Sequence, residues 1–134
     1  MFPNTTRILI CDDMMTMRKV VKKVLGELGF TDVAEAPDGA AGWETITKAL
    51  GEGKPFGLVV SDWNMPNMLG IDLLRKVRST DTTKTLPFVL VTAEGEASQI
   101  KEALGAGVDA YVIKPFTGVT LGEKLTAVWK KYHP

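Results

Sequence analysis

The chain has 134 residues, 45% of them hydrophobic and 24% charged, which suits one soluble globular domain better than two. Sixteen Lys and Arg balance sixteen Asp and Glu, so no net charge draws the chain to nucleic acid or anionic lipid, and recognition is left to local chemistry. The single cysteine, Cys11, excludes an intramolecular disulfide framework. The start MFPNTTRILICDD lacks the pattern of a secretory signal, and no apolar run approaches the ~18 residues of a membrane span. The expectation is one cytoplasmic domain over residues 1–134 with no further output domain.

Five short apolar runs alternate with amphipathic segments. The first strand is Ile8–Ile10. After it Met14, Met17, Val20, Val21, Val24, Leu25 and Leu28 recur at helical steps, with Gly29 as the stop, so Met14 and Met17 are expected in the core. A weak strand near Asp32–Ala36 precedes a helix from about Gly39 to Leu50. Leu58–Ser61 reads as a strand buried on both faces, because a half-exposed strand would alternate. Ile71, Leu74 and Val77 mark the next helix, and Phe88–Val91 the fourth strand. A short helix around Ser98–Leu104, a strand at Ala110–Ile113 and a helix carrying Leu121, Leu125, Val128 and Trp129 complete the chain. Such alternation predicts a doubly wound α/β fold, a five-stranded parallel sheet covered on both faces, with ligands outside the carboxyl ends of its strands.

Four strands leave polar groups at that edge: Asp12 and Asp13, Asp62, Thr92, and Lys114 with Pro115. Each alone is an ordinary strand exit; their coincidence at one edge points to a pocket. Three carboxylates held together repel one another, and a hard, oxygen-seeking dication such as Mg²⁺ relieves that repulsion. Three carboxylates, one dication and the Lys114 ammonium balance to neutrality, leaving a pocket suited to an incoming phosphoryl group.

The stretches SDWNMPNM, VTAE and YVIKPF resemble the receiver domain of two-component response regulators, most closely the single-domain chemotaxis type, over about Arg7 to Trp129. The resemblance implies the flavodoxin-like strand order 2-1-3-4-5, for which such regulators are the type example. It implies that Asp62 is the phosphoacceptor. Mg²⁺ would be held by the side chains of Asp13 and Asp62, the backbone carbonyl of Asn64 and, through water, Asp12. Lys114 and Thr92 would contact the phosphoryl oxygens, Tyr111 would be the aromatic switch, and Pro115 would follow a cis peptide bond. Asn64 and Glu94 stand where the family tunes dephosphorylation, and their identities suggest a short-lived signal. The implied partners are a sensor histidine kinase, the flagellar motor switch protein and a phosphatase, with the protein acting as a monomer that catalyses only its own phosphorylation and dephosphorylation. The segment around Ile100–Leu104, ending in ALGAG, is expected to be weakly stable and to move on phosphorylation.

Other readings remain open at this stage: a lone receiver serving as phosphate sink or phosphorelay intermediate, and an aspartate-nucleophile phosphohydrolase. The last lacks its usual general acid two residues after the nucleophile, where this chain has Asn64. A flavodoxin-like cofactor carrier is weaker, since DDMMTM would repel phosphate without a metal. Cys11 reads as a buried filler, His133 as solvated, and Lys130 and Lys131 as an ordinary charged helix end.

Overall fold

Side chains alternate across a strand, so each apolar run serves two layers at once. The structure, a computed structural model, describes residues 1–93 and 97–134. Among them β1 (Ile8–Cys11), β2 (Val33–Ala36), β3 (Leu58–Asp62), β4 (Phe88–Thr92) and β5 (Ala110–Ile113) alternate with α1 (Met15–Glu27), α2 (Gly39–Gly51), α3 (Gly70–Ser79), α4 (Ala97–Gly105) and α5 (Gly118–Tyr132). Ile8, Ile10, Leu58, Val60, Val89 and Val91 face a layer completed by Val21 and Leu25 of α1 and by Leu121, Leu125 and Val128 of α5. Leu9, Val59, Phe88 and Leu90 face the opposite layer, closed by α2, α3 and Ala103 of α4. Both faces of the sheet are therefore covered, which explains runs that do not alternate with polar residues.

The strands are all parallel and lie in the order β2-β1-β3-β4-β5. The chain winds outward from β1 to β2 and then returns to β3 on the other side of β1, so the direction of winding across the sheet, though not of the strands, reverses between β1 and β3. A crevice opens at such a point. Register decides what fills it. Cys11 pairs with Ser61, which brings Asp12 and Asp62 side by side, and Thr92 pairs with Ile113, which sets Lys114 just beyond.

Local signals fix the joints. Gly29 takes φ 101° and closes α1, with Phe30 N–H donating to Leu25 O at 2.9 Å. Thr117 caps α5 by accepting from Thr120 N at 3.1 Å. Gly70 begins α3 so close to the end of β3 that a Cβ would lie 2.0 Å from the carbonyl oxygen of Asp62.

Three expectations need correction. Met14 is not in the core: it is 55% exposed, because the helix begins one residue later and Met14 is its extended N-cap. Val20 of the same stripe is also exposed, whereas Val21 and Leu25 carry the packing. Lys131 is more than a charged helix end. It joins a network at the amino edge of the sheet, where the Asp109 carboxylate, with a side chain 1% exposed, accepts from Lys131 Nζ at 2.8 Å and Arg78 Nη2 at 2.8 Å. Phe88 N at 2.9 Å and the Tyr132 hydroxyl at 3.0 Å complete the donors. Burial, then the nearby Asp109 charge, pushes the Tyr132 phenol up to about 12, so it remains a donor. Cys11 is buried, and His133 is exposed but stacks on Trp129 with ring centroids 3.5 Å apart. No helix among the described residues is long and apolar enough to cross a membrane.

Candidate functional site

Asp12 follows β1 directly and is buried. Its Oδ1 accepts from Met14 N at 2.9 Å, an Asx turn that reverses the chain into α1, and its carbonyl accepts from Arg18 Nη1 at 2.7 Å. Its side chain is therefore set by the N-cap of α1 and its backbone by Arg18 within that helix. Asp13 is exposed beside it. Asp62 ends β3 with its side chain 12% exposed, and its Oδ1 accepts from Trp63 N at 2.9 Å.

Lys114 enters from β5, its backbone N–H donating to Thr92 O at 2.7 Å. Its ammonium lies 3.3 Å from Asp12 Oδ2 and 3.4 Å from Asp62 Oδ1, so one cation is shared by two carboxylates. Ligand oxygens of Asp12, Asp13 and Asp62 all lie within 4.8 Å of one another. One lysine cannot neutralise three acids. Burial raises the Asp62 pKa above its ordinary value; Lys114 opposes the rise, and the neighbouring Asp12 charge adds to it. A donor set made only of carboxylate oxygens, partly open to water through Asp13, suits a hard divalent cation that keeps some of its water, so the residues present fit Mg²⁺.

The remaining predicted positions among the described residues lie on or just beyond β3, β4 and β5. Thr92 is buried at the end of β4. Asn64 is exposed two residues past Asp62, and Glu94 lies outside the described residues. Tyr111 packs against the layer of α2, α3 and α4, with its hydroxyl 3.5 Å from Gln99 Oε1 on α4. The Lys114–Pro115 peptide bond is cis. A cavity of about 210 Å³ sits at the opposite, amino edge, lined by Ile46, Phe56 and Leu86 among others. Unmatched charge marks the carboxyl edge.

Sequence reasoning passed over Arg18, which holds the Asp12 carbonyl, and the pair Asp38 and Asn67, which ties the loop after β3 to α2. The only local signals were the Asp-Gly pair at 38–39, typical of a cap, and an Asn following Pro66 in a turn.

The family model for the response regulator receiver domain matches residues 8–126. The chain is 49% identical over 125 residues to the chemotaxis protein CheY of Pseudomonas aeruginosa, covering 93% of this chain and 97% of that one. It is 46% identical over 125 residues to the chemotaxis protein CheY-3 of Vibrio cholerae, covering 93% and 92% of the two chains. Among solved structures, the chemotaxis response regulator CheY4 of Vibrio cholerae superposes with a TM-score of 0.81 at 29% identity, over 92% of this chain and 98% of that one. A shared strand order, the same stretch of chain from the first strand into the last helix, and relatives nearly half identical along almost their full length establish that this chain belongs to the response regulator receiver domain family.

Proposed function

We propose that the protein is a chemotaxis-type phosphoacceptor switch in which Asp62 receives a phosphoryl group from a sensor histidine kinase. The observation that carries this reading is the Lys114 ammonium bridging Asp12 and Asp62 at 3.3 and 3.4 Å with Asp13 alongside. The names of the relatives, chemotaxis proteins at 46–49% identity, support the choice of pathway.

In this reading an Asp62 oxygen forms the new bond to phosphorus. The phosphorus–nitrogen bond of the donor phosphohistidine breaks, and its electron pair stays on the imidazole, which takes up a proton. Of the two Asp62 oxygens, Oδ1 is occupied by Trp63 N and Lys114, so among the described residues Oδ2 is the oxygen left for attack. Asp13 and Asp62 with the Asn64 carbonyl would hold Mg²⁺, and Asp12 would hold it through water. When bound, the ion offsets the charge that gathers on the phosphoryl oxygens. Lys114 meets one such oxygen as a compact point charge, and the Thr92 hydroxyl donates to another from the end of β4. Tyr111, on the strand that carries Lys114, transmits the loaded state to the surface of α4 and β5, where the flagellar motor switch protein binds. Asn64 and Glu94 set how readily water reaches the acyl phosphate. The only phosphoryl group the protein turns over is its own, and Asn64, two residues past Asp62, offers no general acid for hydrolysing other esters.

The test is binding of the motor switch protein's N-terminal peptide in the presence of Mg²⁺, with and without beryllium fluoride as acyl-phosphate mimic, read alongside tryptophan fluorescence. A fluorescence change with tighter peptide binding is expected. Loading without tighter binding would replace the motor role with a phosphate sink or relay role, and absence of loading would overturn the phosphoacceptor assignment. Asp62→Asn should abolish the labelled acyl phosphate formed from a phosphorylated kinase; a label surviving on another residue would overturn it equally.

A further inference from the structure

The loop from Trp63 to Leu69 joins β3 to α3 and carries Asn64, and the structure shows how it is held. At its neck Gly70 N–H donates to Trp63 O at 2.9 Å. At its tip Met68 N–H donates to Pro66 O at 2.7 Å across Asn67, whose φ of 64° makes this a tight three-residue turn. A turn of that kind is rare and strained for a residue with a side chain, and it persists only where contacts from outside over-determine it. Those contacts come from α2. Asp38, the N-cap of α2, uses one oxygen to accept from Ala41 N at 2.8 Å and the other to accept from the Asn67 side-chain amide at 2.8 Å. Gly39 N–H donates to Met68 O at 3.2 Å, and a Cβ on Gly39 would lie 2.6 Å from that oxygen, so the loop rests on the bare first turn of the helix.

The same helix is seated on β1. A Cβ on Gly42 would lie 2.8 Å from Cys11 Sγ, at the residue just before Asp12 and Asp13. The amino end of α2 thus touches both chain segments that feed the acidic pocket: the end of β1 through Gly42, and the loop after β3 through Asp38 and Gly39. None of these residues belongs to the pocket itself.

We infer that Asp38 and Asn67 are positioning residues for divalent-cation binding: their hydrogen bond sets the loop that carries Asn64 against the end of β1, so that donors from two separate segments meet one ion. This rests on the proposed reading of the acidic pocket as an Mg²⁺ site. Without the bond the strained turn at Asn67 loses its outside restraint, and each binding event must order the loop again, which weakens affinity.

The experiment is calorimetric titration of the full chain with Mg²⁺ alone, accompanied by thermal unfolding of each variant. Asn67→Gly permits the left-handed backbone at no steric cost and removes the side chain with its amide. Asp38→Ser keeps a competent N-cap but cannot reach Asn67 with a second oxygen. Both should fold and bind Mg²⁺ roughly 3–10-fold more weakly, and the double variant should be no weaker than either single, because the two act through one bond. Asp38→Asn retains both contacts once the Asn67 amide turns round, and should restore near-normal affinity; a purely capping role would instead leave Asp38→Ser and Asp38→Asn alike, because both residues cap well. Unchanged affinity in both single variants, beside a wild-type chain that binds Mg²⁺, would overturn the inference alone. No Mg²⁺ binding by the wild-type chain would overturn the pocket assignment and the inference together.

Discussion

The two edges of the sheet hold buried carboxylates in opposite conditions. At the amino edge Asp109 has two cations, Arg78 and Lys131, together with the Phe88 amide and the Tyr132 hydroxyl. At the carboxyl edge Asp12 and Asp62 share the single ammonium of Lys114, with Asp13 close by. The first arrangement satisfies its charge within the chain. The second leaves negative charge unmet, and burial adds to the cost by raising the Asp62 pKa, which Lys114 only partly offsets. A fold carries such frustration where a ligand is meant to relieve it, and secures itself elsewhere.

The contrast is tested first where it should matter most. Asp109→Ala removes the one carboxylate that Arg78, with its side chain 17% exposed, is paired with among the described residues, and leaves it the carbonyls of Gly107, Lys84 and Leu86. Breaking a buried pair in this way costs about 3–5 kcal/mol. Urea denaturation should show that loss, while Mg²⁺ affinity measured on the folded fraction stays unchanged. A loss below 1 kcal/mol would mean that the amino edge is not the anchor its geometry implies. At the other edge the second effect is on binding. Asp13→Ala removes an exposed acid that supports little structure, so Mg²⁺ should bind about tenfold more weakly or worse, with stability nearly unchanged. Titration calorimetry giving wild-type affinity would remove Asp13 from the ligand set.

How much of this was legible beforehand differs between the two edges for a physical reason. The acidic edge was readable because Asp12, Asp13, Asp62 and Lys114 each follow an apolar run, and in a parallel sheet the ends of such runs converge. Strand order came with the family resemblance, since alternation of elements gives a parallel sheet without saying which strand neighbours which. The amino edge was unreadable. Asp109 looks like a loop acid before a strand, and nothing local links it to Arg78 or Tyr132, which lie 31 and 23 residues away. The Asp38–Asn67 bond, spanning 29 residues, was hidden in the same way. Met14 was misplaced for a different reason: spacing counts residues but does not locate the first helical one, and the Asx turn at Asp12 shifts that start past Met14.

The third effect tests the frustration itself. Asp62→Asn removes one of the crowded charges, so in Mg²⁺-free buffer at neutral pH it should stabilise the fold by roughly 1 kcal/mol. Its sign with pH follows from the raised Asp62 pKa. Between the ordinary and the raised values the folded chain holds more protons than the unfolded one, so the wild-type protein loses stability as pH rises through the raised value. The advantage of Asp62→Asn should therefore be full above that value and shrink as the pH falls below it. An advantage independent of pH would assign it to packing instead of charge.

The smallest effect concerns α4, which belongs to neither edge. Of its nine residues only Ala103 is buried, and Leu104 is 64% exposed, so little apolar packing holds it. Its clearest polar tether to α3 is Arg75 Nη2 to Glu102 Oε2 at 2.6 Å. Both side chains are nearly half exposed, and such pairs contribute less than about 1 kcal/mol to global stability. Global stability is nevertheless the wrong scale for a helix that opens by itself. Local opening needs only the contacts of that helix to be lost, so a tether worth little to the whole fold is a large share of what holds α4. Arg75→Ala should leave the urea midpoint almost unmoved while amide exchange across Ala97–Gly105 accelerates several-fold and that of α3 and α5 does not. Beryllium fluoride loading should then change exchange in α4 before any other helix. Exchange in α4 as slow as in α5, and indifferent both to Arg75→Ala and to loading, would show instead that α4 is part of the rigid frame, and the proposed switch would have to run through β5 and Tyr111 alone.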